Sequence, residues 1–403
     1  MAIKSGVWNT QSAVSDERPY DWSKALNILI PNIGRFTTLW SKIATGPKLT
    51  SPQFHCWDQD DLGFADQLNE ALDTSETGVD VDDGTVFRAG DIIQIETTTA
   101  NTFENMLVVS ITSNTLTVIR GFGGTAGTAC ADNTPIAIIG NVYAENSTAP
   151  TAFASQMTKR TNYSEIFRMT ANTSNTTLAE LMRPEEATGA IHRRNLMFAL
   201  RRVKLLMERT AFWGQAKEST GVTPVIRSTG GAFEFIDSGN KVNASGSFSF
   251  NHLNALAGRI YDQGTPELDG AVLVIGPAIR RKMSELATAT GIVRNDEARS
   301  KKYGFRVETF QSFYGDLPMI QSSILAGTGG ANVTYGSTAF DLHGDKAFLI
   351  KMPLFKLRWL RPMKLYENIQ ANDADGRIDE YRGEYGIERR CPKAHACLYG
   401  VTG

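Results

Sequence analysis

Cysteine and histidine are scarce in this chain. Its 403 residues hold four cysteines, at 56, 130, 391 and 397, and five histidines. So few thiols in so long a chain supply no disulfide framework and point to a reducing compartment. The few histidines leave little material for general acid–base chemistry. Long apolar runs are missing too. The longest, such as 26–31 and 271–275, fall far short of the ~20 residues that cross a bilayer, and the N-terminus lacks the apolar core of a secretory leader. Neither sign of charge dominates: 41 Lys and Arg against 43 Asp and Glu leave a net charge of -2, which argues against a dedicated nucleic-acid binder with a strongly cationic surface. What is present is the material of a folded protein, 41% hydrophobic with 36 glycines and no collagen-like period, long enough for roughly two to three domains.

Charge is distributed unevenly along the chain. Residues 1–150 carry 8 basic and 18 acidic side chains, leaving 33 and 25 for the remainder. Between Asp58 and Asp83 there are ten carboxylates and no Lys or Arg, whereas 351–364 contributes Lys351, Lys356, Arg358, Arg361 and Lys364 without an acid. Opposed fields of this kind either set the register between copies of one chain or are met by solvent and by pairs within the chain. The sequence leaves both open.

Residues 1–60 show little apolar periodicity and have prolines at 19, 31, 47 and 52, which predicts an extended arm with short helical pieces. From 81 to 140 the pattern is strand and turn: 86–95, 106–111, 116–120 and 136–139 read as four short strands, with Asn114 supplying the left-handed residue of a hairpin at 112–115. Residues 192–213 predict a long amphipathic helix ended by Gly214. Leu196, Ala199, Leu200, Val203, Leu206 or Met207, Thr210 and Ala211 form its stripe, and Arg193, Arg194, Arg201, Arg202, Lys204 and Arg209 oppose a single Glu208 on its polar side. A second helix carries Leu253, Leu256, Ala257 and Ile260 behind a cap at Ser249 or Asn251. Residues 271–275 read as a buried strand, and Pro277 opens a third helix. The end returns to strands at 347–350, 355–360 and 385–401, the last bent at or near Pro392.

No chemistry-bearing motif survives its own geometry. The glycines at 121, 123, 124 and 127 lack the following helix that a dinucleotide fingerprint requires, and no Gly-Lys-Ser/Thr phosphate loop occurs. Cys391, His395 and Cys397 share strand parity but lie ~20 Å apart end to end on an extended strand, too far for one tetrahedral zinc. The acids at 58–61 and 80–83 lack the calcium-loop spacing. Six helix cations without interleaved aromatics do not make a single-strand binding surface.

Several stretches carry a likeness. They are FRAGDII (87–93) with MLVV (106–109) and LTVIRGFGGT (116–125), RTNYSEIF (160–167), RRVKLLMERTAFWG (201–214), GDLP (315–318), WLRP (359–362) and EYGIERRCPKAHA (384–396). In this order they resemble the major capsid proteins of tailed bacteriophages with the HK97-like fold, in the subgroup that inserts a small β module before the spine helix. Cys391-Pro392 departs from the polar, strand-compatible residues of that pattern, and the first 50 residues match it poorly.

The resemblance implies an α+β fold with an N-terminal arm (1–60) and an extended loop region (61–160) carrying the β module at about 81–140. A peripheral domain with the spine helix (161–240), an axial domain (241–365) and C-terminal strands returning to the body (366–403) complete it. It implies a structural role without catalytic, cofactor or metal residues: self-assembly through pentamers and hexamers into an icosahedral head around double-stranded DNA, contacted weakly and non-specifically. Portal, scaffolding and decoration proteins are the further partners, and assembly takes place in the host bacterial cytoplasm, with no membrane involved. A nanocompartment shell and a decoration protein are the alternatives. The assembly and fold candidates are Asp80, Asp82, Asp83, Arg120, Arg160, Leu200, Leu206, Glu208 and Arg361. Aspartate at Leu200 or Leu206 is expected to abolish folding, and lysines at Asp80, Asp82 and Asp83 to slow shell closure.

Overall fold

The computed structural model describes residues 35–59, 63–96, 103–150, 152, 157–179, 190–219, 221, 224–262, 268–289, 308–312, 314–322, 325, 333–335, 338–340 and 345–401. The chain divides into two compact units: Met1–Trp57 with Lys159–Gly403, and Asp58–Thr158.

The first unit opens with α1 (Arg35–Ile43) and β1 (Gln53–Asp58). Apolar residues at 36, 39 and 40 give α1 one narrow face, and Phe36, Leu39 and Trp40 are all buried. The Trp40 indole donates to the Phe355 carbonyl at 2.9 Å, and Phe36 lies against Phe212 with ring centroids 4.7 Å apart. This part of the expected arm is therefore core of its own chain. Residues 1–34 lie outside the described residues.

The second unit is a small all-β body: β2 (Ala65–Gln67), β3 (Gly78–Asp80), β4 (Asp91–Glu96), β5 (Phe103–Thr112), β6 (Thr115–Ile119) and β7 (Pro135–Asn141). Their order is β2-β7-β4-β5-β6-β3, antiparallel throughout. The two outer strands continue into each other's reach: Asn69 N–H donates to Asp80 O at 2.9 Å and Asp82 N–H to Gln67 O at 3.2 Å. The sheet thus closes on itself around Leu68, Val79, Phe87, Ile93, Ile95, Met106, Val108, Leu116 and Ile136. The module is larger than the 81–140 span, because β2 and β3 complete the closure. The strand expected from 86 begins at 91, since 84–86 forms a single 3-10 turn. In the 112–115 hairpin it is Ser113 that takes positive φ (54°). The Asn114 side chain instead accepts from Gly84 N–H and donates to Asp82 O.

The first unit resumes with β8 (Thr158–Tyr163), β9 (Glu165–Ser174), α2 (Asn175–Ala179), α3 (Ala190–Trp213), β10 (Lys217–Glu218), β11 (Arg227–Ser228) and α4 (Ala232–Phe235). Then come β12 (Lys241–Asn243), α5 (Phe250–Asp262), β13 (Ala271–Ile275), α6 (Pro277–Ala289), β14 (Glu308–Ser312) and β15 (Gly315–Gln321). The chain ends through β16 (Val333–Tyr335), β17 (Thr338–Phe340), β18 (Ala347–Lys351), β19 (Phe355–Tyr366), β20 (Gly376–Arg389) and β21 (Ala396–Tyr399). Two sheets organise this body. β19-β20-β9 is a long antiparallel sheet, and β12-β21-β18-β13-β15-β14 is a mixed one. The mixed sheet is buried on both faces: Val272, Val274, Phe348 and Ile350 meet the cluster around α1 and α3, and Ala271, Leu273, Ile275 and Leu349 meet the cluster around α5. That double burial is why β13 reads as an unbroken apolar run. The single bent strand expected over 385–401 is two strands in different sheets. Cys391 turns at φ 52°, Pro392 opens a 3-10 turn, and the chain crosses from β20 to β21.

Helix α3 departs from its expected stripe. Its buried side is Ala199, Val203, Met207 and Ala211, an i+4 row, together with Phe212 and Glu208. Leu200 is half-buried, and Leu206 is 37% exposed. The pattern misplaced the face because the helix buries an acid and exposes Met197, Phe198 and Leu206, against the sense of an ordinary amphipathic pattern. The expectation for Leu206 is corrected accordingly. Val203→Asp should cost at least about 3 kcal/mol and abolish soluble expression. Leu206→Asp should leave a folded protein with a near-native melting temperature, read by thermal denaturation of the two variants side by side.

Candidate functional site

Glu208 is fully buried, and its place is the N-terminus of α1. One carboxylate oxygen accepts from Thr37 N–H at 3.1 Å and Thr37 Oγ1 at 3.0 Å, and the other accepts from Ser322 Oγ at 2.7 Å. The acid thus satisfies an unpaired N–H at a helix start and joins α1, α3 and the end of β15. Burial pushes its pKa up in spite of these bonds. Because the only acid of α3 is turned inward, its solvent side carries cations without a compensating carboxylate. Arg193, Arg202 and Lys204 are exposed and have no ion-pair or side-chain hydrogen-bond partner among the described residues. Phe198, Arg202 and Leu206 follow one another at i, i+4 and i+8 along one flank.

The β19-β20-β9 sheet answers part of the charge question raised by the sequence. Glu380, Glu384 and Glu388 recur on one face of β20, and each meets arginine. Arg168 and Arg382 both donate to Glu380. Arg361 Nε donates to Glu384 at 2.8 Å, with Ser164 on the other oxygen at 2.6 Å. Arg358 Nη1 donates to Glu388 at 2.9 Å. Arg361 and Arg358 of the basic 351–364 run are thus paired within the chain. Lys356 and Lys364 of the same run have no such partner among the described residues. Gly386 sits where the Phe54 ring crosses β20; a Cβ there would come within 2.5 Å of the ring. On the opposite face His192 bridges α3 to β20: Nε2 pairs with Asp379 Oδ2 and Nδ1 with Thr173 Oγ1, both at 2.9 Å. Burial raises the Asp379 pKa, but the bonds from His192, Asn368 N–H and Arg377 outweigh it and hold the carboxyl below its usual value.

In the second unit, Arg120 forms a staple with Glu104, an acid that no sequence motif singled out. Glu104 is fully buried, and both its oxygens accept from Arg120 at 2.6 Å; Gly121 and Thr128 N–H add two more bonds. Arg120 also donates to the Asp73, Glu76 and Thr128 carbonyls, tying two long loops to the barrel. The glycines at 121, 123 and 124 serve this turn, all three at positive φ. Only the alternation of β5, which places Glu104 in phase with Met106 and Val108, marked the acid as inward-facing.

The candidate aspartates Asp80, Asp82 and Asp83 are structural as well as charged. Asp83 caps the 3-10 turn through Thr85 N–H and Oγ1, which lowers its pKa, and Asp82 accepts from Gln67 Nε2 at 2.6 Å. Asp80 faces Glu70, and their mutual repulsion is the largest of the influences that raise the Glu70 pKa. Lysines at 80, 82 and 83 would therefore disturb the module itself, so that substitution does not isolate docking. Arg160 lies 5.8 Å from the Phe235 ring centroid, in a structural cation–π contact.

His395 is equally occupied: Nδ1 accepts from Lys351 N–H and Nε2–H donates to Arg390 O, each at 3.2 Å, and burial pushes its pKa down to about 4. Burial lifts the Cys397 thiol to about 12. Among the described residues no three His, Cys, Asp or Glu side chains form a metal-holding group, and no helix is long and apolar enough to cross a membrane.

The Arg120–Glu104 staple generates a test. Burial raises the Glu104 pKa, but the bonds from Arg120, Thr128 and Gly121 prevail and lower it below 4.5. Its stabilisation is therefore present at neutral pH and is lost as pH falls through the depressed value. Arg120→Met leaves a buried carboxylate without its cation and should cost about 3–5 kcal/mol at pH 7. The gap between variant and wild type should shrink on acidification below 4.5, as followed by urea unfolding at a series of pH values.

Comparison with known proteins places this architecture. The family model of the SU10 major capsid protein matches residues 6–402. No curated protein matches the chain. Among solved structures, Mycobacterium phage Bobi is 8% identical over 97% of this chain and 98% of its own, with a TM-score of 0.47. Mycobacterium phage Cain is 11% identical over 98% and 99%, also at 0.47. The holo-SrpI encapsulin complex from Synechococcus elongatus PCC 7942 is 12% identical over 62% and 78%, at 0.43. Since the family model spans nearly the whole chain, the chain belongs to the SU10 major capsid protein family and is the major capsid protein of a tailed bacteriophage, with an HK97-like fold.

Proposed function

We propose that many copies of this chain close into an icosahedral head that encloses the double-stranded DNA of the phage. The observation that carries this reading is the amount of large apolar surface left open on both units. Ile166, Met197, Phe198 and Tyr366 are exposed on the first, and Phe103, Val109, Ile119 and Ile139 on the second. A chain with three well-filled cores has no need to expose these groups, and neighbouring copies are their natural cover. In this reading 161–240 is the peripheral domain with α3 as its spine, 241–365 the axial domain meeting its copies in pentamers and hexamers, and 61–160 the extended loop region. Residues 366–403 return to the body, and 1–60 is the N-terminal arm, whose described part is anchored by α1 on its own core. Closed symmetry ends growth, where an unclosed head-to-tail contact makes filaments. Portal, scaffolding and decoration proteins are the further partners. DNA is contacted weakly and without sequence preference, as a net charge of -2 suggests, and assembly takes place in the host cytoplasm before the shell becomes part of the virion. No residue is assigned a catalytic role.

The test is electron microscopy of the overexpressed protein. Closed particles of uniform diameter are expected, and replacing 63–150 by a short linker should leave a soluble body that forms none. Wild-type protein that stays monomeric at every concentration would overturn the reading, and particles filled with an enzyme in place of DNA would move it to a nanocompartment.

A further inference from the structure

The ion pairs of the β19-β20-β9 sheet cancel charge without covering it. On the face turned away from α3, three cations stand side by side across the strands: Lys364 of β19 is opposite Arg382 of β20, and Arg382 is opposite Arg168 of β9. One step along the sheet Arg361 faces Glu384, and on the other side of the row lies Glu380. The acids are beneath and the cations above. Glu380 and Glu384 are buried, whereas the side chains of Arg168 and Arg361 are 58% and 52% exposed and Lys364 is exposed as well. Donors are left over too: Lys364 has no ion-pair or side-chain hydrogen-bond partner among the described residues, and Arg382 Nε is buried without a hydrogen-bond partner. Such a row costs the fold stability, because strands bring directly opposite residues to ~5 Å and like charges there repel. Glu380 relieves the repulsion between Arg168 and Arg382, but Lys364 adds to it from the solvent side without serving the core.

We propose that the row Lys364–Arg382–Arg168, with Arg361 beside it, is the surface through which this chain touches the phosphodiester backbone of DNA. The proposal rests on the shell reading above, which brings DNA to the subunit, and adds to it the residues that make the contact. Charge selects a polyanion, and a row of ammonium and guanidinium groups ~10 Å across three strands suits the successive phosphates of a nucleic-acid strand. The face lacks the apolar centre of a protein interface: the Tyr366 ring lies 5.0 Å from the Arg382 guanidinium, and Ile166 is the large aliphatic group exposed beside the row. Contacts to phosphate alone carry no sequence preference. The net charge of -2 does not stand against this surface, because the acid excess belongs to the other unit. Asp58–Thr158 holds 15 carboxylates and 2 arginines, and the rest of the chain holds 39 Lys and Arg against 28 acids.

The test uses the full-length protein below the concentration at which it assembles. Its binding to a fluorescein-labelled duplex of about 20 base pairs is read by anisotropy between about 50 and about 200 mM NaCl. Wild type should bind with a log–log salt slope of about -3 to -4, as four phosphate contacts require. Lys364→Glu places an acid opposite Arg382, so the melting temperature should hold, while affinity at about 50 mM falls at least about tenfold and the slope flattens by about one to two. Lys364→Gln leaves every ion pair in place and should show a smaller loss of the same sign, which guards the test against a folding defect in the reversal. Lys204→Glu makes the same charge change at an exposed lysine of α3 and should leave affinity and slope as they are. Equal losses in Lys364→Glu and Lys204→Glu would overturn the proposal, since overall charge would then be the cause. So would wild type that binds no duplex at about 50 mM. Wild-type affinity in Lys364→Glu together with loss of closed particles would also overturn it and would assign the row to a contact between copies. Binding as expected by a protein that never forms closed particles would be failure of the shell reading and not of this surface.

Discussion

The body of this protein depends on one buried carboxylate. Glu208 is the only acid on a 24-residue helix, and it faces inward to meet the first turn of α1 and the serine after β15. An ionised or neutral carboxyl in that position is costly to bury, and three donors make it tolerable. Its inward turn divides the labour of α3. The interior side fixes α1 over the aromatic cluster of Trp40, Phe212, Phe348 and Tyr385, and the exterior side is left with cations and a few apolar groups. The same residue therefore sets both how the core closes and what the surface offers.

A second constraint is the way the last segment serves two sheets. β20 pairs with β9 over 376–385 and with β19 over 380–389, and β21 pairs with β12 and β18. The corner between them is fixed by the positive φ of Cys391, by Pro392, and by His395, whose ring nitrogens hold Lys351 and Arg390. Residues whose types suggested a metal site are instead the parts of a corner. Their chemistry is spent on backbone groups that a turn between sheets would otherwise leave unpaired.

Much of this was legible in the sequence where burial and periodicity agree. The 271–275 run, Pro277 at a helix start, and Leu253, Leu256, Ala257 and Ile260 on one helix face stand in the structure as their pattern requires. The order of motifs identified the family. Legibility failed where polar residues are buried or apolar ones are not. Glu208 looked like a surface acid and Glu104 was not singled out, because nothing local announces the donors that satisfy them, which come from 171 residues away in one case and 16 in the other. Leu206 looked like core because a hydrophobic residue at helical spacing carries no mark of whether its cover is this chain or a neighbour. The module's true extent was hidden for a similar reason: β2 and β3 are three residues each, too short to show alternation, and only their closure around the barrel makes them strands.

That closure has a further consequence for a protein that must live at extreme local density. An open sheet of the same residues would present rows of unsatisfied N–H and C=O groups, and crowding identical copies side by side would invite them to polymerise strand to strand without limit. With Asn69 bonded to Asp80 and Asp82 to Gln67, the seam is sealed and no such template is on offer. At that seam, copies of the module meet through side chains, where contacts are reversible and mistakes can be undone before the container is finished.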